Sequence, residues 1–244
     1  MLELDGYSTH ILTSRHIAED TVAFNLNRPK DFTFKAGQYI SVRIEGFEAN
    51  EEDDGERMLS IASAPDETSL TIAMRMRQSR FKQYLSDSKQ DVRLVISPAM
   101  GDFILPDSID APLVMVAGGI GITPFYSMLQ ALRDRAAASP LPDIHLLYGN
   151  RHPGSIAWRP ELQAMASELP WLTVTHVLES GANEIPGAYA GRIDEAILKQ
   201  AIPDWAQRQF YIVGPTLMVA TLQDTFDAMG LPPENAIVEF FAGY

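Results

Sequence analysis

The segment Val116–Pro124 reads VAGGIGITP and sets Gly118, Gly119 and Gly121 between an apolar run and the first residues of an amphipathic pattern. Glycine turns the backbone tightly and leaves no Cβ in the path of a ligand. A strand that enters a helix through such a turn directs unpaired N–H groups and the positive end of the helix dipole outward, a binding arrangement for an anion such as pyrophosphate. Thr123 is suited to cap that helix and Pro124 to its first turn. A second turn of this kind stands at Val213–Thr216, VGPT. Either turn alone is as consistent with a plain strand–helix corner. Two of them at the carboxyl ends of strands in one parallel sheet point to a nucleotide site.

The elements that would position those turns are readable around them. Leu113–Ala117 is a continuous apolar run, as expected of a strand covered on both faces. Phe125, Met128, Leu129 and Leu132 fall at helical spacing, and Met218, Leu222, Phe226 and Met229 mark another helix over Thr216–Met229. Further strands are predicted at Ile144–Tyr148, Leu172–Leu178, Phe210–Val213 and Ala236–Phe241, with helices near Glu161–Glu168 and Ile193–Gln200 between them. That alternation makes a parallel sheet. The first part of the chain reads instead as short strands: Ser8–Leu12, Thr21–Asn27, Tyr39–Ile44, Leu59–Ala62, Leu70–Arg75 and Asp91–Ile96. An acidic loop, Glu45–Glu56, and a helix near Phe81–Ser86 lie among them. The expected fold is β + α/β, with a six-stranded antiparallel β-barrel over residues 1–107 and a five-stranded parallel α/β domain over 108–244.

Composition removes whole classes of chemistry. With no cysteine, there is no disulfide, thiolate nucleophile or cysteine-held cluster. The five histidines are scattered without helical metal-site spacing, so no metal site is expected. A net charge of −13 without a basic arm speaks against nucleic acid and anionic membranes as partners. No apolar stretch approaches the ~18–20 residues of a membrane span and no leader is recognisable, so a cytoplasmic protein is expected.

Four motifs in order resemble those of the plant-type ferredoxin-NADP reductase superfamily, in particular the bacterial flavin-dependent NAD(P)H oxidoreductases without a fused iron-sulfur domain. They are Arg57–Ser63 (RMLSIAS), Gly118–Pro124 (GGIGITP), Val213–Pro215 (VGP) and Glu239–Tyr244 (EFFAGY). The likeness runs over nearly the whole chain. It implies a flavin-binding barrel followed by a pyridine-nucleotide domain, FAD rather than FMN, and NADPH or NADH as co-substrate.

By that resemblance, Arg57 pairs with flavin phosphate and Ser60 lies beside the reactive flavin nitrogen, with Met58 and Leu59 completing the segment. Leu59 stands where the family commonly has a Tyr packed on the flavin. Ser79–Tyr84 (SRFKQY) resembles a second phosphate-binding element, in which Ser79 caps a helix and Arg80, Phe81 and Lys82 form its first turn, with Arg75 in support. The stretch Arg75–Arg93 carries six basic and two acidic residues. A solvated basic face is the competing account.

The nucleotide set implied is Gly118, Gly119, Gly121, Ile122, Thr123, Pro124, Val213, Gly214, Pro215 and Met218, with Val213 where plant-type members carry Cys. Asn150 and Arg151 end a strand-end turn like the one that takes the adenosine half. Arg151 and Arg208 are cations for a 2′-phosphate, which favours NADPH; no carboxylate directly follows Tyr148 to bind a free ribose hydroxyl. Glu239 and Phe241 match the family's Glu-x-aromatic ending, whose ring covers the flavin, and Tyr244 is the alternative ring.

The implied reaction passes hydride to the flavin among Ser60, Val213, Glu239 and the terminal aromatic, then electrons to a redox protein, free flavin or small molecule. A flavin-binding electron-transfer or regulatory subunit with little turnover alone is the alternative, supported by Val213 and Leu59. A flavin-free nucleotide-binding protein is a third, opposed by Arg57, Ser60 and the basic stretch.

Overall fold

The computed structural model describes residues 6–50, 53–76, 79–87, 92–136 and 139–241. The chain forms two compact units, one from its start to Leu105 together with Thr123–Leu132, the other from Pro106–Ile122 and Arg133 onward.

The first unit holds β1 (Tyr7–Ala18), β2 (Thr21–Asn27), β3 (Tyr39–Ile44), β4 (Glu56–Ser60), β5 (Ser69–Arg75), the helix α1 (Arg80–Asp87) and β6 (Arg93–Ile96). The strands form one six-stranded sheet in the order β4-β3-β6-β1-β2-β5, and every neighbouring pair is antiparallel. Among the described residues its ends are joined by the isolated Ile61–Ile72 bridge and no continuous ladder closes the barrel. β1 runs well past the predicted Leu12 because it serves two neighbours. Tyr7–His10 pair with β6, and the chain then pairs with β2 through irregularities at Ile11/Thr13 and His16/Ala18. Such bulges break the period-two pattern that marks a strand in sequence.

Alternation turns Leu26, Ile40, Val42, Leu70, Ile72 and Ile96 into one core, which Phe81 of α1 joins. Their burial is the main favourable term for this unit. Within it, Phe125 packs on Phe103 at 5.7 Å between centroids and the Ser127 hydroxyl donates to the Ser63 carbonyl at 2.6 Å.

The second unit contains β7 (Leu113–Gly118), β8 (Ile144–Asn150), α3 (Arg159–Glu168), β9 (Leu172–Leu178), β10 (Tyr189–Ala190), α4 (Glu195–Ala201), β11 (Gln209–Pro215), α5 (Thr216–Met229) and β12 (Ala236–Phe241); α2 (Ile122–Ala136) follows β7. The sheet is parallel with order β10-β9-β8-β7-β11-β12. It has six strands instead of the expected five, because the two-residue β10 is too short to leave a periodic signal. Asp194 caps α4 by accepting the Ile197 N–H at 2.8 Å. Gly230, at φ +77°, ends α5 in the left-handed conformation. Among the described residues no helix is long and apolar enough to cross a membrane.

Candidate functional site

In the first unit, chemistry gathers where α1 begins. Ser79 accepts the Lys82 N–H at 3.2 Å and so caps the helix. The Phe81 N–H, another amide of that first turn, donates at 2.9 Å to Oδ2 of Asp53, a residue only 5 % exposed. The same carboxylate accepts the Gly55 N–H at 3.0 Å and pairs with the Arg57 guanidinium at 2.9 Å. Burial alone would raise the Asp53 pKa, but the amides of Phe81 and Gly55 and the Arg57 cation outweigh it and hold the carboxyl below its usual range. Arg57 also lies over the Phe81 ring at 5.0 Å and reaches Asp54 at 3.3 Å. A guanidinium, one helix-end amide and one loop amide thus converge on one anion, the kind of donor set that phosphate binding uses.

The other expected residues of this unit divide sharply. Ser60 is buried and Met58 exposed. Leu59, opposite Ile40 on β3, points into the barrel core, so it offers the flavin no stacking surface. Arg75 is buried on β5 with Asp20 as its ion partner at 4.0 Å, and is not part of the Asp53 cluster. Arg80 stacks on the Phe47 ring at 5.2 Å.

In the second unit the strand order reverses at β7. β8, β9 and β10 lie to one side of it, β11 and β12 to the other, which creates the switch-point crevice where parallel sheets bind ligands. Both glycine turns open there, and they touch. A Cβ on Gly118 would lie 2.4 Å from Met218 Sδ, and one on Gly121 would lie 2.6 Å from the Val213 carbonyl oxygen. Gly214 also packs on Gly118, its Cβ position 3.2 Å from the Gly118 Cα. These glycines are therefore needed for turn-on-turn packing as well as for any ligand. Gly119, at φ +54°, has its carbonyl held by the Tyr148 hydroxyl at 2.9 Å.

Thr123 does not stand at the position before the helix as read. A 3₁₀ turn over Gly119–Gly121 precedes α2, so Thr123 lies inside the first helical turn and is buried, as are Ile122 and Pro124.

Around that crevice the sheet register brings Val213 beside both Ala117 and Glu239. The Glu239 Oε2 is buried without a hydrogen-bond partner, and burial pushes its pKa up to about 7. On β8, Asn150 is buried with neither side-chain nitrogen nor oxygen paired, while Arg151 after it is exposed. His176, in register with Tyr148, has an unpartnered Nδ1, and burial together with the charge of Arg159 lowers its pKa to about 4. Pro215 pairs with Phe241 at the end of β12, and Tyr244 lies outside the described residues.

Arg208 is a correction. It precedes Gln209, which pairs with Leu113, the first residue of β7, so Arg208 lies at the amino edge of the sheet, opposite the crevice. It is buried and ion-paired to Asp143 and, at 2.8 Å, to Asp204. No cation there can meet a 2′-phosphate bound at the carboxyl edge.

Sequence reasoning missed Asp53 and His176. For Asp53 the signal was the four-residue spacing to Arg57, hidden within a run of acids; its contact with Phe81 spans 28 residues. His176 left no signal, since its importance lies in being unpaired.

The comparisons agree with this geometry. Residues 115–224 match the family model described as the oxidoreductase NAD-binding domain. A flavohemoprotein of Burkholderia sp. is 29% identical over 92% of this chain and 56% of its own. The glycine betaine monooxygenase reductase subunit of Chromohalobacter salexigens is 27% identical over 91% of this chain and 60% of its own. The chain therefore spans somewhat over half the length of these relatives. A ferredoxin NADP+ reductase from Neisseria gonorrhoeae, solved with bound FAD and NADP, superposes with a TM-score of 0.80 at 22% identity, covering 98% of this chain and 99% of that one. With its switch-point crevice and its antiparallel six-stranded sheet, the chain has the two-part fold of the ferredoxin-NADP reductase-like proteins, and its residues 115–224 match the oxidoreductase NAD-binding domain.

Proposed function

We propose that this protein is an NAD(P)H-dependent flavoprotein reductase that sends electrons onward to a redox partner. The observation that carries the reading is the crevice at β7 and β11, where two mutually packed glycine turns stand beside Glu239, one of whose carboxyl oxygens is buried and unpaired. The residues present also fit a flavin phosphate, because Arg57 and the first turn of α1 already close on an anion, the Asp53 carboxylate.

Bound flavin supplies the redox step, accepting a hydride and releasing electrons singly or in pairs. The chain supplies placement. Arg57, Ser79 and the amides of α1 hold the flavin phosphates, and Ser60 directs a hydroxyl to the flavin ring. The turns at Gly118–Gly121 and Val213–Pro215 seat the nicotinamide nucleotide, and Asn150 and Arg151 take its adenosine half. Val213 presents an apolar wall and Glu239 a carboxyl that is largely protonated below pH 7, able to donate to a neutral amide. In this reading residues 1–107 form the flavin-binding domain and 108–244 the nucleotide domain of a cytoplasmic protein. FAD is favoured over FMN by the two phosphate-binding elements, and Arg151 alone favours NADPH. The acceptor we infer is a protein carrier or oxygenase, on the analogy of the betaine monooxygenase reductase subunit.

The test is the air-free visible spectrum of FAD-loaded protein before and after each nucleotide. Bleaching by NADPH or NADH is the expected result. A yellow protein bleached by neither moves the reading to an electron-transfer or regulatory subunit, and a chain that takes up no flavin overturns it.

A further inference from the structure

The described parts of the loop after β3, residues 45–50 and 53–55, are built onto α1. Phe47 lies under the Arg80 guanidinium, at 5.2 Å, and makes an edge contact with Tyr84, at 6.0 Å between centroids. Gly55, at φ +74°, packs so closely on Phe47 that a Cβ would sit 2.4 Å from its ring. Asn50 and Asp53 close the loop on itself, the Asn50 N–H donating to the Asp53 carbonyl at 3.0 Å and the Asp53 N–H to Asn50 Oδ1 at 2.9 Å. Two aromatic contacts and a paired backbone therefore deliver one carboxylate to Arg57 and the Phe81 amide.

That carboxylate uses the donors a flavin phosphate would use. Its two oxygens take the Phe81 amide, the Gly55 amide and the Arg57 guanidinium. Two anions cannot share those donors, since like charges at such separations repel and each would lose hydrogen bonds.

On the reading that the barrel holds flavin, we propose that Asp53 is an internal stand-in for the cofactor's phosphate. It fills the seat at Arg57 and α1 in the empty protein and is displaced when a phosphate-bearing flavin binds. The seat is thereby kept satisfied without cofactor: the Phe81 amide would otherwise lack its acceptor and the partly exposed Arg57 its nearer carboxylate. The cost falls on affinity, because binding must first break the Asp53 contacts. Flavin without phosphate has no need to displace it.

The test titrates flavin-stripped full-length protein with FAD, riboflavin and inorganic pyrophosphate, comparing the unsubstituted chain with Asp53→Asn and Asp53→Ser. Flavin fluorescence and thermal shift are the readouts. FAD should bind both variants about tenfold or more tightly, the equivalent of one lost competing contact. Riboflavin affinity should not change, and pyrophosphate should stabilise the variants more than the unsubstituted chain. In the unsubstituted chain, FAD and not riboflavin should speed hydrogen exchange at the Asp53 and Gly55 amides, which the loop holds on Asn50 and Asp53, a readout that needs no variant to fold.

FAD binding that is equal or weaker in the variants, or a loop that stays protected, overturns the inference and leaves the flavoprotein reading intact. Pyrophosphate stabilisation of the variants with no FAD uptake by any chain would overturn the flavoprotein reading, and with it the flavin as the displacing group, while leaving Asp53 as the competitor of a phosphate at Arg57 and α1. Uptake of neither by any chain overturns both.

Discussion

Glu239 stands in register with Val213 on the neighbouring parallel strand, and one of its carboxyl oxygens is buried with no hydrogen-bond partner. Burial raises its pKa from 4.5 to about 7. The folded state therefore binds the proton more tightly than the unfolded chain. Stability from this group is full below about pH 4.5 and is lost as pH rises through about 7. Denaturant titrations at pH 5 and pH 8 should show Glu239→Gln roughly 1 to 3 kcal/mol more stable than the unsubstituted protein at the higher pH only. Parallel pH curves for the two would contradict the assignment.

The two glycine turns give a second prediction. Gly121→Ala directs a Cβ at the Val213 carbonyl, which is backbone and has no easy escape, so unfolding measurements should show a loss of about 1–3 kcal/mol with weakened nucleotide binding. Gly118→Ala meets chiefly the flexible Met218 side chain. Part of its loss should return in the Gly118→Ala, Met218→Ala double variant, and no recovery would show the clash to lie elsewhere.

How much of this was readable in advance depends on whether the determinants were local. Leu172–Leu178, Ala236–Phe241 and Thr216–Met229 match their predicted bounds because burial repeats at the period of the element. The glycine spacing between strand and helix patterns led to the two turns, and the order of the four motifs to Arg57 and Glu239. The pairing of Asp53 with the Phe81 amide was invisible, since a carboxylate in an acidic loop looks solvated until the fold brings a helix end to it. Arg208 misled for the same reason: its charge was readable, but not which edge of the sheet would receive it.

The two arginines separate by experiment. Arg208 is buried between Asp143 and Asp204, and Arg208→Ala should cost about 2–4 kcal/mol of stability while leaving the preference between NADPH and NADH unchanged. Arg151 is exposed beyond the carboxyl end of β8. Arg151→Ala should raise KM for NADPH about tenfold, with kcat and melting temperature nearly constant. A loss of NADPH preference in the Arg208 variant would refute its placement.

Ser60 is buried in the first unit and assigned to the flavin ring. Ser60→Ala should retain flavin and slow its reduction by about 10- to 100-fold, as removal of one directed hydrogen bond does. Reduction at an unchanged rate would remove Ser60 from the reaction.

The most direct test of the account mixes FAD-loaded protein with NADPH, and separately with NADH, under air-free conditions in a rapid-mixing spectrophotometer. The account predicts loss of the flavin's visible absorption with at least one nucleotide, in a phase that Ser60→Ala slows. Absorption that persists with both nucleotides would contradict it.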